Sequence, residues 1–123
     1  MLAASAGAWA DTHIVPLRWG PAGEFEHRAT VADGRFLEVC GALTVGSDVG
    51  WRFRTSEPAE FNVHYHVGKD VVYPVKMNAS REAAQVLRAA SKEDYCWMWT
   101  NRSGRPMEVW VRLERGSSPP APR

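Results

Sequence analysis

Apolar and polar residues alternate along most of this chain, and the two-residue period is that of a β-strand with one buried face. The alternation is clearest in "FNVHYHV" and "YCWMWTN". Turn-forming residues separate such segments at roughly the 8–12-residue spacing that is typical of β-sandwiches. We therefore predict an all-β fold, with one antiparallel β-sandwich domain over residues 11–114.

One segment favours a helix instead. In "ASREAAQVLRAAS", Ser80 is a suitable N-cap, and the residues after it are strong helix formers. Val86 and Leu87 belong to a set of apolar residues at helical spacing. Because helix propensity is a weak predictor, a short helix near residues 80–90 and a strand there remain alternatives.

The alternation places the two histidines of "FNVHYHV" on one face of their strand. The apolar side chains of this segment face the core, whereas His64 and His66 face outward with Asn62. A three-residue loop at residues 68–70 would keep the apolar faces of this hairpin on the same side. The resulting pairs are Val67 with Val71, Tyr65 with Tyr73, and Val63 with Val75.

In "YCWMWTN" the same period sends Cys96 and Met98 outward. Histidine, methionine and cysteine are ligands that suit copper. A copper or other transition-metal site that uses His64, His66 and Met98 is therefore one hypothesis, and solvated histidines without a metal are the other. The side chains expected in the core are Trp51, Tyr65, Trp97 and Trp99.

The opening "MLAASAGAWA" is small and apolar, and Ala8-Trp9-Ala10 fits the small-x-small pattern that signal peptidase recognises. We interpret residues 1–10 as the remnant of a signal peptide, which predicts a periplasmic or secreted protein. Cleavage after Ala10 would make His13 the third residue of the mature chain. Its imidazole, the terminal amine and two amide nitrogens would then suit Cu(II) in a square plane.

The chain has two cysteines, and an oxidising compartment permits a disulfide between Cys40 and Cys96. Two buried free thiols are the alternative. The closing residues 115–123 lack apolar side chains and are expected to be disordered. After the opening residues, no apolar run approaches the ~18–20 residues that a membrane span needs.

Composition and motifs exclude several functions. The net charge of +1 offers little attraction for nucleic acid. The serine-nucleophile elbow, the phosphate-binding loop, the zinc-protease helix and the dinucleotide fingerprint are missing from the sequence. The sequence thus predicts no catalytic residues, no nucleic-acid partner and no cofactor other than copper.

The order "GALTVGSDVGWRFRTSEPAEFNVHYHV" followed by "DYCWMWTNRSGRPMEVWVRL" resembles the GOLD domain, a small jelly-roll-like β-sandwich. The resemblance covers roughly Phe36 to Leu113. It implies a non-catalytic module that binds proteins or lipids, and it implies a strand around Val86. The sequence as a whole therefore predicts a periplasmic or secreted binding module for an unidentified protein or other ligand. A small copper-binding protein that uses His64 and His66 is the alternative.

Overall fold

The computed structural model describes residues 13–122, which form seven β-strands and no helix. The all-β class is confirmed. No helix in this range is long and apolar enough to cross a membrane. The strands are β1 (His13–Pro16), β2 (Glu24–Val31), β3 (Phe36–Leu43), β4 (Asp48–Val67), β5 (Asp70–Arg88), β6 (Glu93–Thr100) and β7 (Met107–Arg115).

All seven strands belong to one curled sheet in which β4 is the central strand. The order is β1-β3-β6-β4-β7-β2, and β5 pairs with β4 along its other edge. The first half of β4 pairs with β7, and the second half pairs with β6. The pairing of β1 with β3 is parallel and all the others are antiparallel, so the sheet is mixed and not purely antiparallel.

A bend in β4 turns the two halves of the sheet toward each other. The pairing of β4 with β5 shifts register between Arg54 and Ala59, around Pro58, which has no N–H to donate to the ladder. Aromatic rings from both halves meet inside the curl. The Trp99 ring centroid lies 5.6 Å from that of Phe53 and 5.2 Å from that of Phe61.

The core is largely the one that the alternation predicts. Trp51, Trp97 and Trp99 have no exposed surface. Tyr65 is partly buried and packs against the ring of Tyr95 at 4.9 Å between centroids.

Most of residues 80–90, where a short helix and a strand were the two alternatives, forms the second half of β5. Ala83 pairs with Phe53, and Leu87 pairs with Val49. Because β4 offers a long ladder and a place in the core for Leu87, tertiary pairing overrides the helix propensity of this segment.

The predicted register of the β4–β5 hairpin is wrong at its tip and right further down. Val67 pairs with Asp70 and Tyr65 with Val72, so the loop has two residues and not three. A bulge opposite His64 then restores the predicted pair of Val63 with Val75.

The chain after β7 turns back over the start of β4. Arg52 donates a hydrogen bond from Nε to the carbonyl oxygen of Pro120 at 2.7 Å, and Pro120 is buried. A Cβ atom on Gly50 would lie 1.8 Å from the carbonyl oxygen of Ser118. Residues 116–122, expected to be disordered, thus contact the sheet instead of extending away from it.

Candidate functional site

Two rows of side chains cross the outer face of β3, β6 and β4. In one row Cys96 pairs with Cys40 on one side and with His64 on the other. In the next row Met98 pairs with Glu38 and with Asn62. Directly paired residues share a face of the sheet, so the structure brings His64, Met98 and both cysteines together. We call Glu38, Cys40, Asn62, His64 and Cys96 the outer-face cluster.

Cys40 and Cys96 are joined by a disulfide across β3 and β6, with their Cα atoms 4.1 Å apart. With only two cysteines in the sequence, this is the one intramolecular bridge that the chain can form. Its position on the outer face ties two central strands of the sheet together outside the aromatic core.

His64 lies on the outer face but is not solvated, since only 6% of its surface is exposed. The bulge in the hairpin leaves His64 opposite Tyr73, and their ring centroids lie 5.9 Å apart. The ring of His66 lies 5.4 Å away on another side. The hypothesis of two freely solvated histidines is therefore wrong for His64, while His66 is exposed.

The partners of His64 determine which ring nitrogen carries its proton. Nδ1 lies 2.6 Å from Oδ1 of Asn62, an oxygen that only accepts, so Nδ1–H is the donor. Nε2 lies 3.5 Å from Oε2 of Glu38. Burial lowers the pKa of His64, and the charge of His66 lowers it further. The neutral ring with its lone pair on Nε2 is thus the favoured form.

Glu38 is half-buried beside this histidine. Burial raises the pKa of its carboxyl group, and the nearby His66 opposes that shift. An ion pair between Glu38 and His64 would lower the pKa of the carboxyl group and raise that of the imidazole. Both pKa values shift in the opposite direction, so desolvation outweighs the mutual attraction of the two groups. Burial therefore favours the uncharged form of each of the two groups.

The structure separates His13 from the other predicted metal ligands. β3 and β6 lie between β1, which contains His13, and the second half of β4. Burial lowers the pKa of His27, and the charge of His13 lowers it further. Asp11 and Thr12, the rest of the predicted N-terminal copper site, lie outside the described residues, as does the predicted signal-peptide remnant.

Glu38 was not among the predicted site residues, and Asn62 was predicted only to share the outer face, not to hydrogen-bond with His64. The ligand atoms of Glu38, His64 and Cys96 lie within 4.8 Å of one another, the spacing of a small metal-ligand group. The sequence held one signal for Glu38. Glu38 precedes Cys40 by two residues, so the two side chains share one face of β3. Nothing in the sequence placed β3, β6 and β4 side by side.

A second surface lies at the end of the β4–β5 hairpin, residues 65–73, which we call the hairpin end. The pairing of β4 with β6 ends at His64 and Cys96. Beyond that point, among the described strands, β4 pairs only with β5. Four apolar side chains are exposed here: Val67 (49%), Val71 (39%), Val72 (38%) and Tyr73 (46%).

Cationic groups border this apolar surface. Nζ of Lys76 lies 4.6 Å from the centroid of the Tyr73 ring, a cation–π contact. Lys69 stands in the two-residue turn and is exposed. Of these residues, tyrosine is the type that is enriched at protein-binding surfaces, and the three valines add apolar area around it.

Comparison with known proteins identifies the fold only. No protein-family model matches the sequence, and no curated protein is similar to it. Solved structures with a similar fold include PliG of Aeromonas hydrophila, described as a periplasmic lysozyme inhibitor of g-type lysozyme. The two proteins share 12% identity at a TM-score of 0.65, over 86% of this chain and 98% of that one.

Two further structures share the fold at lower similarity. PliG of Salmonella Typhimurium has 10% identity and a TM-score of 0.61, over 85% of this chain and 98% of its own. The Yersinia pseudotuberculosis-derived mitogen has 10% identity and a TM-score of 0.58, over 74% of this chain and 84% of its own. These similarities establish a fold that β-rich periplasmic inhibitors also adopt.

Proposed function

We propose that this protein is a non-catalytic binding module of the periplasm or extracellular space, and that the hairpin end is its contact surface for a protein partner. The observation that carries the proposal is the exposure of four apolar side chains on one protruding hairpin. Val71 and Tyr73 lie on one face of the hairpin and Val67 and Val72 on the other, so apolar side chains are exposed on both of its faces. Another exposed valine of the same strand, Val86, lies at the far end of β5.

The outer-face cluster supports a non-catalytic function. His64 has the burial, the carboxylate neighbour and the Nδ1–H hydrogen bond of a catalytic base, but Tyr73 packs beside its ring. The sulfur atoms nearest to it are held in the disulfide and are not available as nucleophiles. The disulfide also supports an oxidising, extracytoplasmic location.

The nature of the partner is suggested by the fold comparison. Two of the structures with this fold are described as inhibitors of g-type lysozyme, and we infer that a g-type lysozyme is the first partner to test. A glycosidase cleft contains a pair of carboxyl groups. Lys69 at the tip of the hairpin and Lys76 beside Tyr73 would bring positive charge to such a cleft, and the exposed Asp70 next to Lys69 offsets part of it. The GOLD-domain resemblance supports the same class of non-catalytic binding module.

The test uses the full 123-residue chain and purified g-type lysozyme. We expect a one-to-one complex by calorimetry and slower lysis of a cell-wall suspension when the protein is added. A c-type lysozyme serves as the specificity control. Absence of a complex with g-type lysozyme would contradict this choice of partner.

Copper binding is the second candidate function, favoured by the close approach of His64 and His66 and by Met98 in the next row. We expect Cu(II) binding by the oxidised protein to fall in the double variant His64→Ala/His66→Ala if the sheet holds the metal. A chain that starts at Asp11 tests the N-terminal site, with His13→Ala as its control. Equal and negligible binding by all four proteins would refute this candidate.

A further inference from the structure

We propose that reduction of the Cys40–Cys96 disulfide opens a site for a divalent metal of the zinc class on the outer face. The four ligands are the two thiolates, Nε2 of His64 and a carboxylate oxygen of Glu38. The site goes beyond the proposed function, and it differs from the copper hypothesis because His66 and Met98 are not ligands.

Two distances from the Glu38 carboxylate, one to each of its oxygens, lie in the range of a tetrahedral site, and the two sulfur atoms must move apart when their bond is broken. Bonds of about 2.0–2.3 Å to zinc place neighbouring ligand atoms roughly 3.3–3.8 Å apart. In the structure Nε2 of His64 lies 3.5 Å from Oε2 of Glu38. Sγ of Cys40 lies 3.7 Å from Oε1 of Glu38, and the ligand atom of Cys96 lies within 4.8 Å of those of Glu38 and His64.

Strand pairing holds the ligands in place without the disulfide. Cys40, Cys96 and His64 stand side by side in one row of the sheet, and Glu38 stands in the adjacent row. The three strands carry the buried side chains Val39, Trp97 and Val63 on their opposite face. The sheet therefore presents the ligands from a rigid surface, which limits the entropy that metal binding must overcome.

Asn62 prepares His64 for this role. By accepting a hydrogen bond from Nδ1–H, Oδ1 of Asn62 fixes the ring so that Nε2 and its lone pair point toward Glu38. A zinc-bound histidine typically donates its other ring N–H in this way, and the hydrogen bond orients the ligand. The buried ring, 6% exposed, thus points its unprotonated nitrogen toward the centre of the proposed site.

The disulfide blocks the site because its sulfur atoms carry no negative charge and are bonded to each other. A dithiol reductant supplies two electrons and two protons: the S–S bond breaks, two thiols form, and the reductant becomes a disulfide. The metal then displaces the thiol protons to solvent and binds the thiolates. Metal binding would occur only in the reduced protein.

The experiment titrates Co²⁺, a spectroscopic substitute for zinc, into the full chain in its oxidised and its phosphine-reduced forms. We expect the reduced protein to take up one equivalent with a thiolate-to-cobalt charge-transfer band, which zinc then removes. The oxidised protein should show no such band. Near-ultraviolet circular dichroism of the buried tryptophans reports whether the reduced protein stays folded.

Variants identify the ligands. Cys96→Ser should abolish the band, and Glu38→Gln and His64→Ala should each weaken binding by at least about tenfold. The matched control is His66→Ala, which should bind as the wild type does. A folded, reduced protein without the band would overturn the proposal. If the reduced protein unfolds, zinc must restore the tryptophan signal, and failure to do so would overturn it equally.

Discussion

His64 of β4 stands directly opposite Cys96 of β6, and the same Cys96 is bonded to Cys40 of β3. This one row joins the only two cysteines of the chain to its one buried histidine among the described residues. It also marks the boundary between two regions of β4. On one side the strand is part of the curled sheet, and on the other it continues as the exposed hairpin.

Replacement of Trp97 by alanine should lower the free energy of unfolding by about 3–5 kcal/mol, because the indole is completely buried in the core. Urea denaturation followed by far-ultraviolet circular dichroism measures the change. Tyr73→Ala is the control, since Tyr73 is nearly half exposed and its loss should change stability by about 0.5 kcal/mol. Equal effects of the two substitutions would show that the core is assigned to the wrong face.

Loss of the disulfide should destabilise the protein by about 4 kcal/mol, because the bridge closes a long loop in the unfolded chain. The comparison is between wild type and Cys40→Ser/Cys96→Ser, each measured in metal-free buffer. Thiol titration of the denatured, unreduced protein should find no free sulfhydryl. Two free thiols per chain would contradict the bridge.

Stability should decrease as the pH falls below about 6.5, the ordinary pKa of histidine. Burial lowers the pKa of His64 and of His27 in the folded state, so the unfolded chain takes up protons first. The contribution of the two neutral histidines to the free energy of unfolding is therefore present above pH 6.5 and is lost as the pH falls. His64→Gln and His27→Gln should each reduce this loss, and the double variant should reduce it further. A loss that is identical in wild type and double variant would exclude both residues as its cause.

Gly50→Ala should destabilise the protein by about 1–3 kcal/mol, since the new methyl group would collide with the backbone of the returning tail at Ser118. Truncation after Gly116 removes that obstacle. The same substitution in the truncated chain should therefore cost much less. An equal loss of stability in both chains would show that residues 117–122 do not lie on β4.

The core residues were predictable because the pattern within each single strand shows which of its side chains are buried. Trp51, Trp97 and Trp99 each occupy the apolar face of an alternating strand, and the alternation assigns that face without knowledge of any partner strand. The disulfide was predictable for a different reason, since two cysteines permit only one intramolecular pair.

The outer-face cluster was not predictable, because it depends on which strands are neighbours. His64, Cys96 and Glu38 come from three strands, and the alternation says nothing about their order in the sheet. The segment around Val86 shows the same limit: its residues favour a helix locally, and the long ladder of β4 makes it a strand. The bulge opposite His64 places Tyr73 beside that ring, which an ideal hairpin register does not predict.

The hairpin end is tested most directly by the affinity of the wild type and two variants for g-type lysozyme, measured by calorimetry. Val71→Ser/Tyr73→Ser removes apolar surface from the hairpin end. Val86→Ser is the matched control, because Val86 lies on the same strand and is 37% exposed, against 39% for Val71. We predict that the double variant raises Kd by at least about tenfold, whereas Val86→Ser leaves Kd within about twofold of wild type. Equal affinities for all three proteins, or a loss confined to Val86→Ser, would contradict the assignment of the hairpin end as the binding surface.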